Sequence, residues 1–399
     1  MKLYSDHILI GSAFQSGTLE FDERFSIFTP GVKPSSMQNT GSGCTEENGR
    51  PGARGKGAED VLDYSGFYII PGLVDIHTHA AMGADASDGD DAEMQTMSRF
   101  YAQNGVTSWC PTTMTLKEPE LKEACRTISH FRRPEDGARS VGVHLEGPFV
   151  CMEKRGAQNP ENIHVPDVEM LKRLNEAAGG TVRLVTMAPE TEGGIAFVRE
   201  ASRLCAVSLG HTMADYDTAM RAFFAGASHV THLFNAMQPI HHRKPGLIAA
   251  AYDAGATAEL ICDGMHVEPS VMRMAEKLFG RNLVLVSDSL RCTGMPEGDY
   301  PFGGQMITLR NGRATLKGTD TIAGSVISLM EGVRRVVDFG MPLEEAVLAA
   351  SSTPARAIRM DHEIGSIRAG KRADMVALDK SLKVRKVWID GREAVSSES

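Results

Sequence analysis

Nowhere in its 399 residues does this chain approach the ~20 consecutive apolar residues that a membrane-spanning helix needs. Its first residues, Met1-Lys2-Leu3-Tyr4-Ser5-Asp6-His7, carry no apolar core of the kind a secretory leader has. An excess of basic charge is missing too. The 42 Lys and Arg face 51 Asp and Glu, a formal net charge of −9, which excludes broad attraction to nucleic acid or to an anionic membrane. An anionic substrate must therefore be met by a local cluster of positive charge. The seven cysteines include no Cys-x-x-Cys pair, and an odd, scattered set argues against a disulfide framework and suits a reducing compartment. These absences lead us to expect a cytoplasmic protein with no membrane or nucleic-acid partner.

What is present is a long alternation. With 42% hydrophobic residues the chain can build a sizeable core. Apolar runs rich in β-branched residues recur at Leu73–Ile76, Gly105–Pro111, Val141–Glu146, Val182–Met187, Cys205–Gly210, Ser228–His232, Ala258–Cys262 and Leu283–Ser287. Helical patterns such as Ala92–Gln103, Val168–Ala178, Ala214–Gly226 and Pro269–Gly280 separate most of them. Eight strands alternating with helices predict an α/β fold, a (β/α)8 TIM-like barrel spanning 71–355, with its site at the C-terminal strand ends. Residues 1–70 and 356–399 carry short β-like runs and turns. They are expected to pair into one small β-sandwich domain, split in sequence by the barrel. Within the first of these, residues 31–59 are polar and glycine-rich and read as a flexible insertion.

The chemistry gathers at the strand ends. After the Pro71-Gly72 turn the first strand delivers His77 and His79, two apart and so on one side of an extended segment, where they can share a cation. The third ends in His144-Leu145-Glu146, the fifth runs into His211, the sixth into His229-Val230-Thr231-His232, the seventh into Asp263-Gly264-Met265-His266 and the eighth into Asp288. Any one of these is more often a hydrogen-bonded core residue than a ligand. Together, imidazoles and carboxylates converging on one barrel mouth are what a borderline divalent ion requires. Spacing sets two residues apart: His229, three from His232, is expected to face the other side of its strand, and His144 to pack in the interior beneath Glu146.

The blocks Pro71-Gly72-Leu73-Val74-Asp75-Ile76-His77-Thr78-His79, His144-Leu145-Glu146-Gly147-Pro148-Phe149, Gly210-His211-Thr212, His232-Leu233-Phe234-Asn235-Ala236-Met237 and Asp263-Gly264-Met265-His266 closely resemble the N-acetylglucosamine-6-phosphate deacetylases of the amidohydrolase superfamily. The resemblance spans the chain except for roughly residues 31–59. Many relatives place a bridging, carboxylated lysine on the fourth strand; Val182–Met187 has none, and Glu146 fits that role instead.

The resemblance implies Glu146, His211 and His232 as metal ligands and Asp288 as catalytic acid and base. It further implies His77 and His79 as ligands of a second ion bridged by Glu146, so one or two divalent metals per subunit, zinc first, with iron, manganese or cobalt as alternatives. Gln158 stands where some members have a histidine that polarises the acetyl carbonyl. The phosphorylated amino sugar is expected to meet Asn235, Ala236 and His266 in the same subunit and Arg243 from a neighbouring one, which implies a homodimer. Ile322, Ala323 and Gly324 match a segment that lines the sugar. Ala157, His242, Asp263, Gly264 and Met265 complete the expected substrate contacts. The expected reaction is hydrolysis of the acetamide in amino-sugar breakdown. The alternatives are the same chemistry on the galacto epimer and, from another class, a barrel that has lost catalysis and serves as a scaffold.

Overall fold

The structure, a computed structural model, describes residues 1–31, 37–38 and 61–396. The expected flexible insertion lies outside these residues, apart from Gly31 and the two-residue strand Met37–Gln38.

Eight parallel strands make the barrel: Leu73–Thr78, Val106–Thr113, Val143–Glu146, Val182–Met187, Ala206–Leu209, His229–Val230, Thr257–Ile261 and Leu283–Val286. Each matches an expected strand, with ends shifted by at most two residues. At the seam the Asp288 amide donates to the His77 carbonyl at 2.9 Å, and the His79 amide to the Ser289 carbonyl at 3.0 Å. That seam brings the eighth strand's carboxylate beside the first strand's histidines.

The helices between strands are amphipathic. In Asp91–Gln103 the buried Met94, Met97, Tyr101 and Ala102 share one face, and Asp90 caps the start by accepting from the amides of Ala92 and Glu93. Such faces pack over outward strand residues including Trp109, Leu145, Val185, Val207 and Leu285. Each fully buried side chain of that size contributes ~1.5–3 kcal/mol. A second cluster joins Leu184, Ala206, Val284 and Val286 to Ala355, Ile358 and Ile364, where the chain leaves the barrel.

Both termini build one further sheet. The strands Lys2–Ile10, Ala13–Phe21, Phe25–Pro30 and Tyr68–Pro71 join Met375–Leu378, Val384–Ile389 and Arg392–Ser396 around their own core of Leu3, Ile8, Phe21, Ile69, Met375 and Trp388. Arg139, at the barrel's edge, ties the two sheets together through Asp374 (2.9 Å) and Asp390 (2.7 Å).

Two further features complete the fold. A small antiparallel sheet (Gly298–Phe302, Gln305–Arg310, Arg313–Leu316) follows the eighth strand. The last long helix runs over Leu329–Asp338; Ser328 caps it by accepting from the Glu331 amide, and the Ser325 hydroxyl just before it is committed to the Ser287 carbonyl.

Candidate active site

Glu146 closes the third strand, while His211, His232 and Asp288 sit just beyond the fifth, sixth and eighth. All three of the latter adopt left-handed backbone, with φ of 49°, 26° and 47°. That conformation costs an L-residue roughly 1–2 kcal/mol, and here it turns each side chain off its strand and into the mouth. Non-glycine residues held this way cluster at functional sites.

The carboxylate of Glu146 is the hub. Its Oε1 lies 3.2 Å from His211 Nε2, 3.0 Å from His232 Nε2 and 3.3 Å from His77 Nε2, and its Oε2 lies 3.3 Å from His79 Nε2. Asp288 Oδ1 stands 3.6 Å from His77 Nε2 and 3.4 Å from His79 Nε2. Two donor sets result, each with ligand atoms within 4.8 Å of one another: Glu146, His211 and His232; and His77, His79 and Asp288. The outer ring nitrogens of three of these four histidines are spoken for, while Nδ1 of His232 is buried without a partner. Nδ1 of His211 donates to the Lys154 carbonyl (2.8 Å), Nδ1 of His79 to the Thr112 carbonyl (3.1 Å) and Nδ1 of His77 to Glu259 (2.8 Å). In the neutral forms of His211, His79 and His77 the Nε2 lone pairs therefore point at carboxylate oxygens, a repulsion that a shared cation relieves. The donor set fits a divalent metal of the zinc type.

The electrostatics agree. Burial disfavours charge on His79, but hydrogen bonds with Asp288 and Glu146 outweigh it and push the ring up to about 9. His77, equally buried, is held well above its ordinary value by Glu259, Glu146 and Asp288. Asp288 resists ionisation through burial, yet His77 and His79 hold it below the usual carboxylate range. The site calls for positive charge at its centre.

These groups face a cavity of about 230 Å³. His79, Glu146, Gln158, His211, His232 and Asp288 form its floor side, and Ala157, Asn235, Ala236, His266, Ile322, Ala323 and Gly324 line the rest. Other expected contacts do not reach it. Asp263 stands behind His266, its Oδ2 2.6 Å from His266 Nδ1, and leaves that ring's Nε2 free for the cavity. Gly264 forms the left-handed turn between them (φ 73°). Met265 is 44% exposed and borders a neighbouring groove with Arg310 and Arg313. His242 and Arg243 are exposed and hydrogen-bonded to each other, and Arg243 borders a separate groove beside Asp215 and Gln238.

Residues 68–394 match the amidohydrolase family. The chain belongs to that family. It is 37% identical to the N-acetylglucosamine-6-phosphate deacetylase of Bacillus subtilis (strain 168) over 325 residues, 79% of this chain and 82% of that one. It is 34% identical to the N-acetylgalactosamine-6-phosphate deacetylase of Escherichia coli O157:H7, covering 82% of this chain and 87% of that protein. Among solved structures, a mutant N-acetyl-D-glucosamine-6-phosphate deacetylase from Mycobacterium smegmatis, in complex with N-acetyl-D-glucosamine-6-phosphate, superimposes with a TM-score of 0.88 at 31% identity, covering 99% of each chain.

In this amidohydrolase Gln158 does something its sequence position did not suggest. Its Nε2 donates to Glu146 Oε2 at 2.5 Å while its Oε1 accepts from the Thr115 amide at 2.8 Å, so the amide is fixed on the hub carboxylate. His144 packs inside as expected, with Nδ1 on the Ile76 carbonyl (3.0 Å) and Nε2 on Thr186 Oγ1 (2.8 Å), and burial beside His77 drives it down to about 3. His229 corrects the expectation. The strand stops at Val230, so parity does not extend to His232, and His229 turns inward onto Glu259 Oε1 at 3.0 Å.

Glu259 itself was missed, although a lone acid inside Ala258-Glu259-Leu260-Ile261 was a visible signal. Phe302 and Met114, which unlike Glu259 stand on the cavity wall, had none.

Proposed function

We propose that this amidohydrolase removes the acetyl group of N-acetyl-D-glucosamine 6-phosphate, giving D-glucosamine 6-phosphate and acetate. One observation carries the reading: a buried Glu146 ringed by four imidazole Nε2 atoms, with Asp288 beside it at the mouth of a barrel whose relatives bear that activity in their names.

Glu146, His211 and His232 would hold one divalent cation, and His77, His79 and Asp288 a second, with Glu146 between them. Zinc suits the donors best, and iron, manganese and cobalt remain compatible. The bound ion supplies Lewis acidity, lowering the pKa of water and drawing electron density from the acetamide carbonyl.

The chain's own residues do the rest. Asp288, held ionised, takes the proton from the attacking water at a carboxylate oxygen. It then delivers that proton to the departing nitrogen, because an amine leaves poorly unless protonated. Gln158 keeps the Glu146 carboxylate from rotating. Ile322, Ala323 and Gly324 border the sugar, and Asn235, Ala236 and His266 receive the phosphate, with His266 oriented by Asp263.

Arg243 does not border the cavity of its own chain. Its assigned partner is the phosphate bound in a second copy, which makes the working unit a homodimer. Six buried free cysteines among the described residues suit a reducing cytoplasm. No helix among the described residues is long and apolar enough to cross a membrane.

The test is chelation followed by reloading. Stripping metal from the purified chain abolishes acetate release from N-acetylglucosamine 6-phosphate, and adding zinc back restores it. Full activity in the stripped protein would refute the metal assignment.

A further inference from the structure

We infer that Glu259 is the positioning residue of the first-strand half of the metal centre: it fixes His77 as an Nε2 donor. Glu259 lies in the seventh strand with no exposed surface. A carboxylate stripped of water is strongly destabilising unless its oxygens are fully engaged, and the two of Glu259 have three partners. Oε2 lies 2.8 Å from His77 Nδ1 and accepts the His232 backbone amide at 3.1 Å. Oε1 lies 3.0 Å from His229 Nε2, and that ring's Nδ1 rests on Thr257 Oγ1 at 2.6 Å.

Two consequences follow from this geometry. An acceptor on Nδ1 keeps the His77 proton there and aims the Nε2 lone pair at the space between Glu146 and Asp288. A carboxylate partner also makes an imidazole more basic than a carbonyl does. His79 and His211 have only backbone carbonyls at Nδ1, so Glu259 singles out His77. The same Oε2 accepts the amide of His232 at its left-handed turn, a backbone contact that a glutamine oxygen at position 259 can equally accept.

Glu259 could instead be read as a ligand in its own right, since it forms a compact trio with His77 and His144. Hydrogen bonds already use both nitrogens of His144 and the His77 Nδ1 that faces Glu259. That leaves the trio no vacancy for an ion.

The inference rests on the two-ion centre proposed above and is independent of the substrate. Its test is zinc content by mass spectrometry of the zinc-loaded, full-length chain after desalting, with zinc affinity by titration. Four proteins are compared: wild type, Glu259→Gln, His77→Ala with His79→Ala, and all three changes together. Removing a carboxylate behind a ligating histidine typically weakens metal affinity ~10–100-fold. The expected result is about two zinc ions in the wild type and about one in each of the other three. The third change adds nothing once His77 is gone. Glu259→Gln that keeps both ions at wild-type affinity overturns the inference. So does a further loss of zinc on adding it to the His77, His79 variant, because that would make Glu259 a general support of the fold. Should Glu259→Gln not fold, Glu259→Asp keeps the charge but withdraws the oxygen by one methylene, and it is read against the same outcomes. Acetate release is measured separately, so a zinc pattern as expected with no deacetylation would refute the substrate and leave the Glu259 role standing.

Discussion

Replacing Asp288 by Asn removes the group assigned to both proton transfers while leaving almost everything else in place. Asn tolerates the left-handed φ of 47°, and the backbone amide of residue 288 still closes the barrel seam onto the His77 carbonyl at 2.9 Å. The side-chain volume is unchanged in a site where Asp288 is only 6% exposed. What disappears is a proton acceptor, together with the negative charge of one donor proposed for the second ion. General acid–base groups contribute roughly 10²–10⁴-fold, and here one residue serves in both directions. A fall in kcat of about 10³-fold or more, equivalent to ~4 kcal/mol of transition-state stabilisation, is therefore expected, with KM within a few-fold. Zinc held by Glu146, His211 and His232 should remain. The assay is acetate release at saturating N-acetylglucosamine 6-phosphate, with metal content and melting temperature recorded on the same preparation. Turnover within tenfold of wild type in a folded, zinc-bearing Asp288→Asn protein would refute the proton-transfer role.

Replacing both His77 and His79 by Ala should lower the rate without erasing it, since Glu146, His211 and His232 still hold an ion; a rate of zero with that ion in place would contradict this. Arg243→Ala should raise KM for the phosphorylated sugar far more than for N-acetylglucosamine, because guanidinium pairs with phosphate through a planar fork; equal effects on both substrates would count against it. Arg139→Ala should destabilise the fold by ~3 kcal/mol, because it strands the buried Asp374 carboxylate between the two sheets. Chemical denaturation reads this directly, and a change under ~1 kcal/mol, the scale of an exposed pair, would refute it.

Much of this was legible from the sequence for physical reasons. Parallel barrel strands are buried on both faces, so runs such as Leu283-Val284-Leu285-Val286 stand out as apolar, and function is confined to their C-terminal ends. That rule found Glu146, His211, His232 and Asp288 together. It failed where a residue's partner is set by three-dimensional closure. Glu259 sits in mid-strand, where the search for strand-end groups does not look, and its partners His77 and His229 come from the first and sixth strands. His229 was misplaced because two-residue periodicity ends where the strand does, at Val230. Asp263, Gly264 and Met265 adjoin His266 in sequence, but a tight turn sends only the histidine to the cavity. The small sheet over Gly298–Leu316 is half-exposed and rich in polar residues, which hides its pattern while it delivers Phe302 to the wall.

The central claim is tested most directly by measuring kcat/KM for acetate release from N-acetylglucosamine 6-phosphate and N-acetylgalactosamine 6-phosphate, side by side, with the zinc-loaded chain. The expected result is acetate and glucosamine 6-phosphate in equal amounts and a higher kcat/KM for the gluco epimer. A higher value for the galacto epimer, or no acetate from either, would contradict it.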